Sequence, residues 1–348
     1  MSKRTAPFSI NGRRIGPTHP PFIIAELSAN HNGDINRAFA IMRAAKDAGA
    51  DAIKLQTYSA DTLTIDHDGP GFIIESGLWK GRKLYDLYEE AGTPWEWHEP
   101  LFAYGKELGI TVFSSPFDPS AVAFLEKFDV PAYKVASFEL VDLALIKTIA
   151  ATGKPIILST GMASFEEIEE AIDTARSAGC TYLAVLHCIS AYPAKPEESN
   201  LKTIADMAER LGIVIGLSDH TTGIATATAG VAMGANIIEK HFTLRRSDGG
   251  PDSAFSLEPE ELSILCKTCK VAWASIGEVA YGPSETEKNS LVFRRSLYIV
   301  EDIPPGGKLT KDNVRSIRPG FGLPPRHLPD VLGQTAKQAI PRGTPLQW

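Results

Sequence analysis

The feature that most constrains the fold of this chain is a short apolar run that recurs eight times, each time followed by polar residues and then by a helical pattern. The runs begin near residues 22, 52, 111, 132, 155, 182, 213 and 236. Apolar strands that alternate with amphipathic helices are typical of a parallel sheet covered by helices. Eight such units in about 250 residues match a closed (β/α)8 barrel. We therefore predict this fold, the TIM barrel, for residues 1–280.

Polar side chains collect where the predicted strands end. They are Glu26, Lys54, Gln56, Ser115, Lys134, Ser137, Glu139, Ser159, Tyr192, Ser218, His220 and His241. In a (β/α)8 barrel the carboxyl ends of all strands meet at one face, and active sites lie there. Lysines and serines with only structural roles would scatter over both ends of the barrel. The sequence therefore predicts a functional pocket at this face.

Two histidines follow neighbouring predicted strands. His220 lies in GLSDHT at residues 216–221, and His241 lies in EKHFT at residues 239–243. Imidazoles at the ends of adjacent parallel strands would face one cavity and could share a metal ion. Two protein ligands would leave several coordination positions for water and substrate oxygens. Taken alone, the pair is equally compatible with two unrelated histidines in satisfied hydrogen bonds.

Two lysines and two glutamates complete the predicted pocket. Lys54 and Lys134 lie at the same barrel end as the serines, and ammonium and hydroxyl groups can surround phosphate oxygens. We therefore predict an anion site. Glu26 and Glu139 belong to the same ring of residues. Either one serves as general acid or base, or each anchors a lysine or a sugar hydroxyl, and the sequence leaves both possibilities open.

The composition bears on several other classes of protein. A formal net charge of −7 argues against a nucleic acid or an anionic membrane as partner. The four cysteines form no disulfide framework in a chain of 348 residues. Cys266 and Cys269 have redox spacing but lie within a helical pattern, where we expect ordinary thiols. Residues 1–5 run into no apolar signal core, and no stretch approaches the roughly 20 apolar residues of a membrane span, so we expect a cytoplasmic protein.

The end of the chain and one internal segment depart from the strand–helix pattern. Residues 281–292 begin with YGPSETE, which is typical of a linker. From residue 293 to 348, short strand patterns alternate with turns such as PPGG, and we predict a small β-rich domain that needs support from a partner surface. The segment 59–97 is rich in aromatic residues and glycine, and connections of this length are usually functional.

Six motifs at these positions resemble those of the sialic acid synthase family. They are NHNG at 30–33, KLQ at 54–56, YKVAS at 133–137, LSTGM at 158–162, GLSDHT at 216–221 and EKHFT at 239–243. The tail is similar to the antifreeze-like (SAF) domain of that family through FRRSL at 293–297 and RPG at 318–320. The likeness covers almost the whole chain.

The resemblance implies a transferase that condenses phosphoenolpyruvate with an open-chain amino sugar, with water addition and loss of phosphate by C–O cleavage. It implies that His220 and His241 hold Mn²⁺ or a similar divalent ion such as Mg²⁺ or Co²⁺. Arg318 would reach the sugar from the partner's tail in a domain-swapped homodimer. Phosphoenolpyruvate would be held by Lys54, Ser115, Lys134, Ser137, Ser159, Ser190 and Ser218. The residues around the sugar or the metal-bound water would be Glu26, Gln56, Glu139, Tyr192 and Asp252.

Further motifs are similar to one branch of the family. They are AELSANHN at 25–32, TPWEWH at 93–98, SSPFD at 114–118, SAYP at 190–193 and DSAFSLEP at 252–259. This resemblance implies 2,4-diacetamido-2,4,6-trideoxy-altrose as the sugar, and we predict that Phe255 or the loop of Leu78 and Trp79 forms an apolar wall for its methyl group. One alternative is a synthase for neuraminic or legionaminic acid. Another, from a different class, is a non-catalytic sugar-binding protein built on an inactive barrel.

Overall fold

The computed structural model describes residues 6–348. Residues 1–5, in which the sequence contains no apolar signal core, lie outside the described residues. The chain divides into two compact units, one ending at Gly277 and the other spanning Glu278–Trp348. The division lies close to residue 280, where the sequence places the end of the barrel. Each unit has an apolar core of its own.

A closed barrel of eight parallel strands forms the first unit, as predicted. Each strand pairs with its neighbour along the chain, and the last pairs with the first. A leading antiparallel hairpin of β1 (Phe8–Ile10) and β2 (Arg13–Ile15) precedes the barrel. The eight barrel strands are β3 (Phe22–Glu26), β4 (Ala52–Thr57), β5 (Thr111–Pro116), β6 (Tyr133–Val135), β7 (Ile156–Ser159), β8 (Leu183–Cys188), β9 (Val214–Ser218) and β10 (Ile237–His241). Every predicted run begins within one residue of an observed strand.

Helices connect the barrel strands, and local sequence sets their ends. They are α1 (Ile35–Ala48), α2 (Ala60–Leu63), α3 (Leu84–Ala91), α4 (His98–Leu108), α5 (Pro119–Leu125), α6 (Leu143–Ala150), α7 (Phe165–Ser177), α8 (Lys202–Leu211), α9 (Ala225–Ala232) and α10 (Pro259–Ile276). Asp34 accepts a hydrogen bond from the Asn36 amide at the start of α1, and Gly49 ends that helix with a φ of 95°, which glycine adopts readily. Ser164 and Glu167 form a capping box at the start of α7.

The amino end of the barrel is closed by apolar side chains. Phe22 and Ile24 of β3 point into the interior together with Phe113 and Ile157 from other strands. The leading hairpin packs against this layer through Phe8 and its neighbours. Because the interior is filled from this side, the polar side chains of the strands are confined to the carboxyl end.

The segment 59–97 contains regular structure. Helices α2 and α3 lie within it, and Ile73 and Lys83 form an isolated antiparallel bridge that closes the loop 74–82. Inside this loop the Ile74 amide donates to the Arg82 carbonyl at 2.9 Å, and the Gly81 amide donates to the Ile74 carbonyl at 2.7 Å. The loop is therefore a small hairpin with a fixed base.

The second unit is a small domain built mainly from paired β-strands. Strands β11 (Ser296–Ile299) and β12 (Val314–Ile317) pair antiparallel, three isolated bridges extend the pairing, and α11 (Leu328–Val331) packs against them. Its core includes Leu297, Ile299 and Val314. The predicted linker 281–292 is largely occupied by a 3₁₀ helix at Glu285–Phe293. The tail is thus tied down by its own hydrogen bonds and apolar contacts.

Cys266 and Cys269 agree with the expectation of ordinary thiols, and all four cysteines of the chain can be located in the structure. All four are free and buried. Cys266 and Cys269 lie on α10, where burial raises the pKa of both thiols to about 12, so neither is a reactive thiolate at neutral pH. Within residues 6–348, every helix falls short of the length and apolar character that crossing a bilayer demands.

Candidate active site

Side-chain alternation along the strands produces the site. In a strand, residues two apart face the same side, so an apolar interior residue predicts an inward side chain two or four positions later. On β4, Ala52 lies in the barrel interior, and Lys54 and Gln56 follow it toward the carboxyl end. The same parity relates Ile24 to Glu26, Phe113 to Ser115, Ala132 to Lys134, Ile157 to Ser159, Val214 to Ser218 and Ile237 to His241.

Lys54 lies at the centre of a buried cluster of charges. Its Nζ forms an ion pair with Glu26, donates to Ser115 Oγ at 3.2 Å and lies 3.8 Å from Glu239 Oε1. Burial alone would lower the pKa of Lys54, but the two carboxylates raise it, so the lysine is charged. Ser218 Oγ donates to Glu239 Oε1 at 3.0 Å. A lysine held in this way is a fixed cation at the mouth of the barrel.

Lys134 is the second buried cation of the site. Its Nζ donates to Ser159 Oγ at 2.5 Å and to the Val135 carbonyl at 3.1 Å. Burial lowers its pKa, and so does the charge of Lys54 nearby, whereas Glu239 raises it. Glu239 has a lowered pKa because both lysines outweigh its burial. Burial raises the pKa of Glu26 to about 7, and when Glu26 is protonated the two lysines face only the charge of Glu239 and leave positive charge for an anionic ligand.

The hydroxyls of two serines, Ser137 and Ser190, flank Gly161. The Gly161 amide donates to Ser137 Oγ at 3.1 Å. A β-carbon at this position would lie 2.8 Å from Ser137 Oγ and 2.0 Å from Ser190 Oγ, so only glycine fits between the two serines. Cys188 Sγ lies 3.8 Å from Ser190 Oγ. The predicted serine ligands Ser137 and Ser190 are therefore neighbours at the ends of different strands.

The two histidines face each other, with ring centroids 5.3 Å apart. His220 Nδ1 lies 2.8 Å from the Ile189 carbonyl, which only accepts, so Nδ1 carries the proton and the Nε2 lone pair is available to a metal ion. His241 Nδ1 is buried without a hydrogen-bond partner and lies 3.8 Å from Asp252 Oδ2. Burial and the positive charge of neighbouring lysines such as Lys54 hold the pKa of His241 well below its ordinary value. A neutral imidazole is the form that binds metal ions.

This donor set fits a divalent ion with open coordination positions. Such ions accept imidazole nitrogens and carboxylate oxygens as ligands. The site offers the unpartnered Nδ1 of His241, Nε2 of His220 and the nearby carboxylate of Asp252. Across the described part of the chain, the structure contains no group of three or more His, Cys, Asp or Glu side chains placed to hold a metal. An ion on the histidine pair would therefore need water or substrate oxygens as further ligands.

A hydrogen-bonded chain of polar residues lies beside His241. Asp252 accepts from Ser28 Oγ at 2.5 Å and from the Ala29 amide at 3.3 Å. Gln56 Nε2 donates to Ser28 Oγ at 2.9 Å. Burial raises the pKa of Asp252, although these donors oppose the shift. The Tyr192 ring lies 4.4 Å from the His220 ring and closes the site on the other side.

Two carboxyl groups of the site titrate near neutrality. Burial raises the pKa of Glu26 to about 7 against the opposing effect of Lys54. Burial also raises the pKa of Glu139 to about 7, in the 3₁₀ turn that follows β6. Groups with a pKa near the working pH are suited to proton transfer.

The barrel thus brings together the predicted site residues of the first unit. The remaining predicted residue, Arg318, lies exposed in the second unit directly after β12. Sequence reasoning missed Glu239, Cys188 and Ser28. Strand parity could have found the first two. Glu239 lies two residues before His241 on β10 and so faces the same side, and Cys188 continues the inward face of β8. Ser28 gives no such signal, since it reaches Asp252 from a loop in which its own φ is 46°.

Comparisons with known proteins agree with this geometry. Residues 41–281 match the model of the NeuB family, and residues 294–348 match the SAF domain. Pseudaminic acid synthase of Helicobacter pylori is 42% identical over 94% of this chain and 96% of its own length. N,N'-diacetyllegionaminic acid synthase of Legionella pneumophila is 35% identical over 97% of each. The crystal structure of N-acetylneuraminic acid synthetase from Leptospira borgpetersenii, in complex with citrate, superposes with a TM-score of 0.74 at 31% identity and covers 82% of this chain and 95% of that one.

Proposed function

Because the chain belongs to the NeuB family, we propose that it acts as a pseudaminic acid synthase. The reaction joins phosphoenolpyruvate, 2,4-diacetamido-2,4,6-trideoxy-β-L-altropyranose in its open-chain form and water, and gives pseudaminic acid and phosphate. The observation that carries the proposal is the joint presence of a two-lysine anion site and a facing histidine pair in one barrel mouth. The higher identity to a pseudaminic than to a legionaminic acid synthase supports the choice of sugar. A cytoplasmic location stays a prediction.

Phosphoenolpyruvate binds at the two lysines in this proposal. Lys54 and Lys134 neutralise its phosphate and carboxylate, and the hydroxyls of the neighbouring strands donate to the remaining oxygens. The contributing serines are Ser115, Ser137, Ser159, Ser190 and Ser218. Because both lysines are held by hydrogen bonds before the ligand arrives, little side-chain ordering accompanies binding.

The sugar binds between the histidine pair and the polar chain of Gln56 and Asp252. His220 and His241 would hold a divalent ion, Mn²⁺ or a similar ion such as Mg²⁺ or Co²⁺. When bound there, such an ion supplies Lewis-acid polarisation of the sugar aldehyde. Tyr192 packs over His220 and limits the space in which the aldehyde can lie. The reacting carbons are thus oriented toward each other before bond formation.

The chemical step needs one proton donor and one proton acceptor from the chain. A C–C bond forms between the methylene carbon of phosphoenolpyruvate and the aldehyde carbon, and the aldehyde oxygen takes up a proton. Water adds to the central carbon of the former enol and loses one proton, the C–O bond to phosphate then breaks, and the second proton of the water leaves with the phosphate as the keto group forms. Glu26 and Glu139, each with a pKa near 7, are the carboxyl groups suited to give and take these protons.

A substrate panel with product identification tests the proposal. Purified protein with phosphoenolpyruvate and Mn²⁺ should release phosphate with the altro-configured sugar. The kcat/KM for the altro-configured sugar should exceed that for N-acetylmannosamine by about tenfold or more. The reason is that N-acetylmannosamine carries a hydroxyl on C6, whereas C6 of the altro-configured sugar is a methyl group. Equal turnover of the two sugars, or preference for a diacetamido sugar of another configuration, would favour a neuraminic or legionaminic acid synthase. Sugar binding without phosphate release would favour the non-catalytic alternative.

We further propose a homodimer in which Arg318 of each tail serves the partner's barrel. Arg318 is exposed after β12, and the second unit has a limited core of its own. Lys134→Ala and Arg318→Ala should each be inactive alone. If active sites are shared, random mixing should restore about a quarter of wild-type phosphate release, because half of the dimers are mixed and each holds one intact site. Absence of any recovery in a mixture with proven subunit exchange would contradict the shared site.

A further inference from the structure

The loop 74–82 reaches across the barrel mouth. Trp79 at its tip donates from Nε1 to the Pro251 carbonyl at 2.9 Å. Pro251 directly precedes Asp252, so this bond ties the loop to the segment that carries a predicted sugar ligand. The Trp79 ring also lies 5.5 Å from the Tyr192 ring. The half-buried indole therefore forms part of the boundary of the site.

Three aromatic residues stand at different distances from the histidine pair. Phe255 is almost fully buried, with its ring centroid 4.9 Å from that of His241 and 5.2 Å from that of Tyr192. Tyr192 lies 4.4 Å from His220, and Trp79 stands beyond it. Phe255 thus supports the inner end of the site, whereas Trp79 marks its outer end.

The length of the sugar decides which of these rings meets its far carbon. The five C–C bonds of an extended six-carbon chain, each about 1.5 Å long, place C6 about 6 Å from C1. An aldehyde oxygen bound to an ion on the histidine pair adds about 3 Å. The centroid separations from His220 to Tyr192 and from Tyr192 to Trp79 place Trp79 within about 10 Å of His220. Trp79 therefore lies within reach of C6, whereas Phe255, with its ring centroid 4.9 Å from that of His241, lies beside the reacting end.

We infer that Trp79 selects the 6-deoxy sugar by contacting its C6 methyl group, together with the Tyr192 ring. This inference rests on the proposed function. The single donor of the indole is already bonded to the Pro251 carbonyl, so Trp79 has no hydrogen bond to offer a 6-hydroxyl. A hydroxyl placed against the ring would lose its bonds to water without replacement, whereas a methyl group would be buried favourably. Phe255, in contrast, is a positioning residue for His241 and Tyr192.

The test compares kcat/KM for the 6-deoxy sugar and for its analogue of the same configuration with a 6-hydroxyl group, using full-length protein. Wild type should prefer the 6-deoxy sugar, and Trp79→Ala should lower that preference by about tenfold or more, chiefly through the KM of the 6-deoxy sugar. Trp79→Phe, which keeps an apolar ring, should retain most of the preference. Phe255→Leu is the matched control and should lower kcat for both sugars alike while leaving their ratio unchanged.

The outcomes separate this inference from the proposed function. A wild-type preference that survives Trp79→Ala, or one that collapses in Phe255→Leu instead, would overturn the role of Trp79 and leave the synthase activity standing. A wild-type protein that turns over neither sugar would refute the proposed function and this inference with it. Melting temperatures of the three variants within a few degrees of wild type establish that each is folded. The KM for phosphoenolpyruvate should change little in Trp79→Ala, because the loop does not contribute to the anion site.

Discussion

Substitution of His220 by alanine is expected to abolish both divalent-ion binding and turnover. An ion that polarises the substrate is worth several kcal/mol in the transition state, so kcat/KM should fall by about a thousandfold or more. His241 cannot compensate, because it would be the one imidazole left to hold the ion. The described residues contain no group of three or more His, Cys, Asp or Glu side chains that could hold a metal in its place. Phosphate release and Mn²⁺ binding by calorimetry are the two measurements.

His187 provides the control for this experiment. It is a buried histidine on β8 whose Nε2 lies 2.7 Å from the Ser199 carbonyl, away from the facing pair. His187→Gln keeps a hydrogen-bonding side chain and should retain ion binding and activity. Removal of divalent ions from wild type with a chelator should reproduce the His220→Ala defect, and added Mn²⁺ should reverse it in wild type alone. Full activity and unchanged Mn²⁺ affinity in His220→Ala would refute the metal assignment.

Much of the site was predictable because strand parity is a local property of the sequence. Once Ala52 is recognised as a barrel-interior residue, Lys54 and Gln56 must face the same cavity, whatever the loops do. The same reasoning reaches Glu239 from His241. It makes Glu239 a member of the charged cluster, where its carboxylate lies between Ser218 and the lysines.

Contacts made by loops were not predictable in this way. Ser28 meets Asp252, and Trp79 meets Pro251, across more than a hundred residues of sequence. These pairings depend on how the loops at the barrel mouth fold over one another, and no repeating pattern encodes them. The sequence identified 59–97 as a functional segment and left Phe255 and the loop of Leu78 and Trp79 as alternative walls of the site. The bond from Trp79 to Pro251, which ties this loop to the site, is visible only in the structure. The reach of Arg318 stays a prediction for the same reason.

A buried ion pair behind the histidines joins the two strands that carry them. Lys240 stands between Glu239 and His241 but faces away from the barrel interior, and its Nζ lies 3.1 Å from Asp219 Oδ2. It also donates to the Thr221 carbonyl at 2.5 Å. Both charged side chains are almost fully buried. Because Asp219 precedes His220 and Lys240 precedes His241, the ion pair fixes the tip of β9 relative to β10.

Lys240→Met is therefore expected to cause a large loss of stability, with a free energy of unfolding about 3–5 kcal/mol below that of wild type, because it leaves the Asp219 carboxylate buried without a cation and, among the described residues, with only the Thr221 amide as a donor. Denaturant unfolding measures the loss. Arg246→Met removes an ion pair with Glu261 that is about one-third exposed, and it should cost no more than about 1 kcal/mol. Adding Asp219→Leu to Lys240→Met should recover much of the lost stability, since the buried charge is then absent. A cost for Lys240→Met no larger than that for Arg246→Met would show that water or a neighbouring group replaces the lysine, and that the histidine pair does not depend on this ion pair.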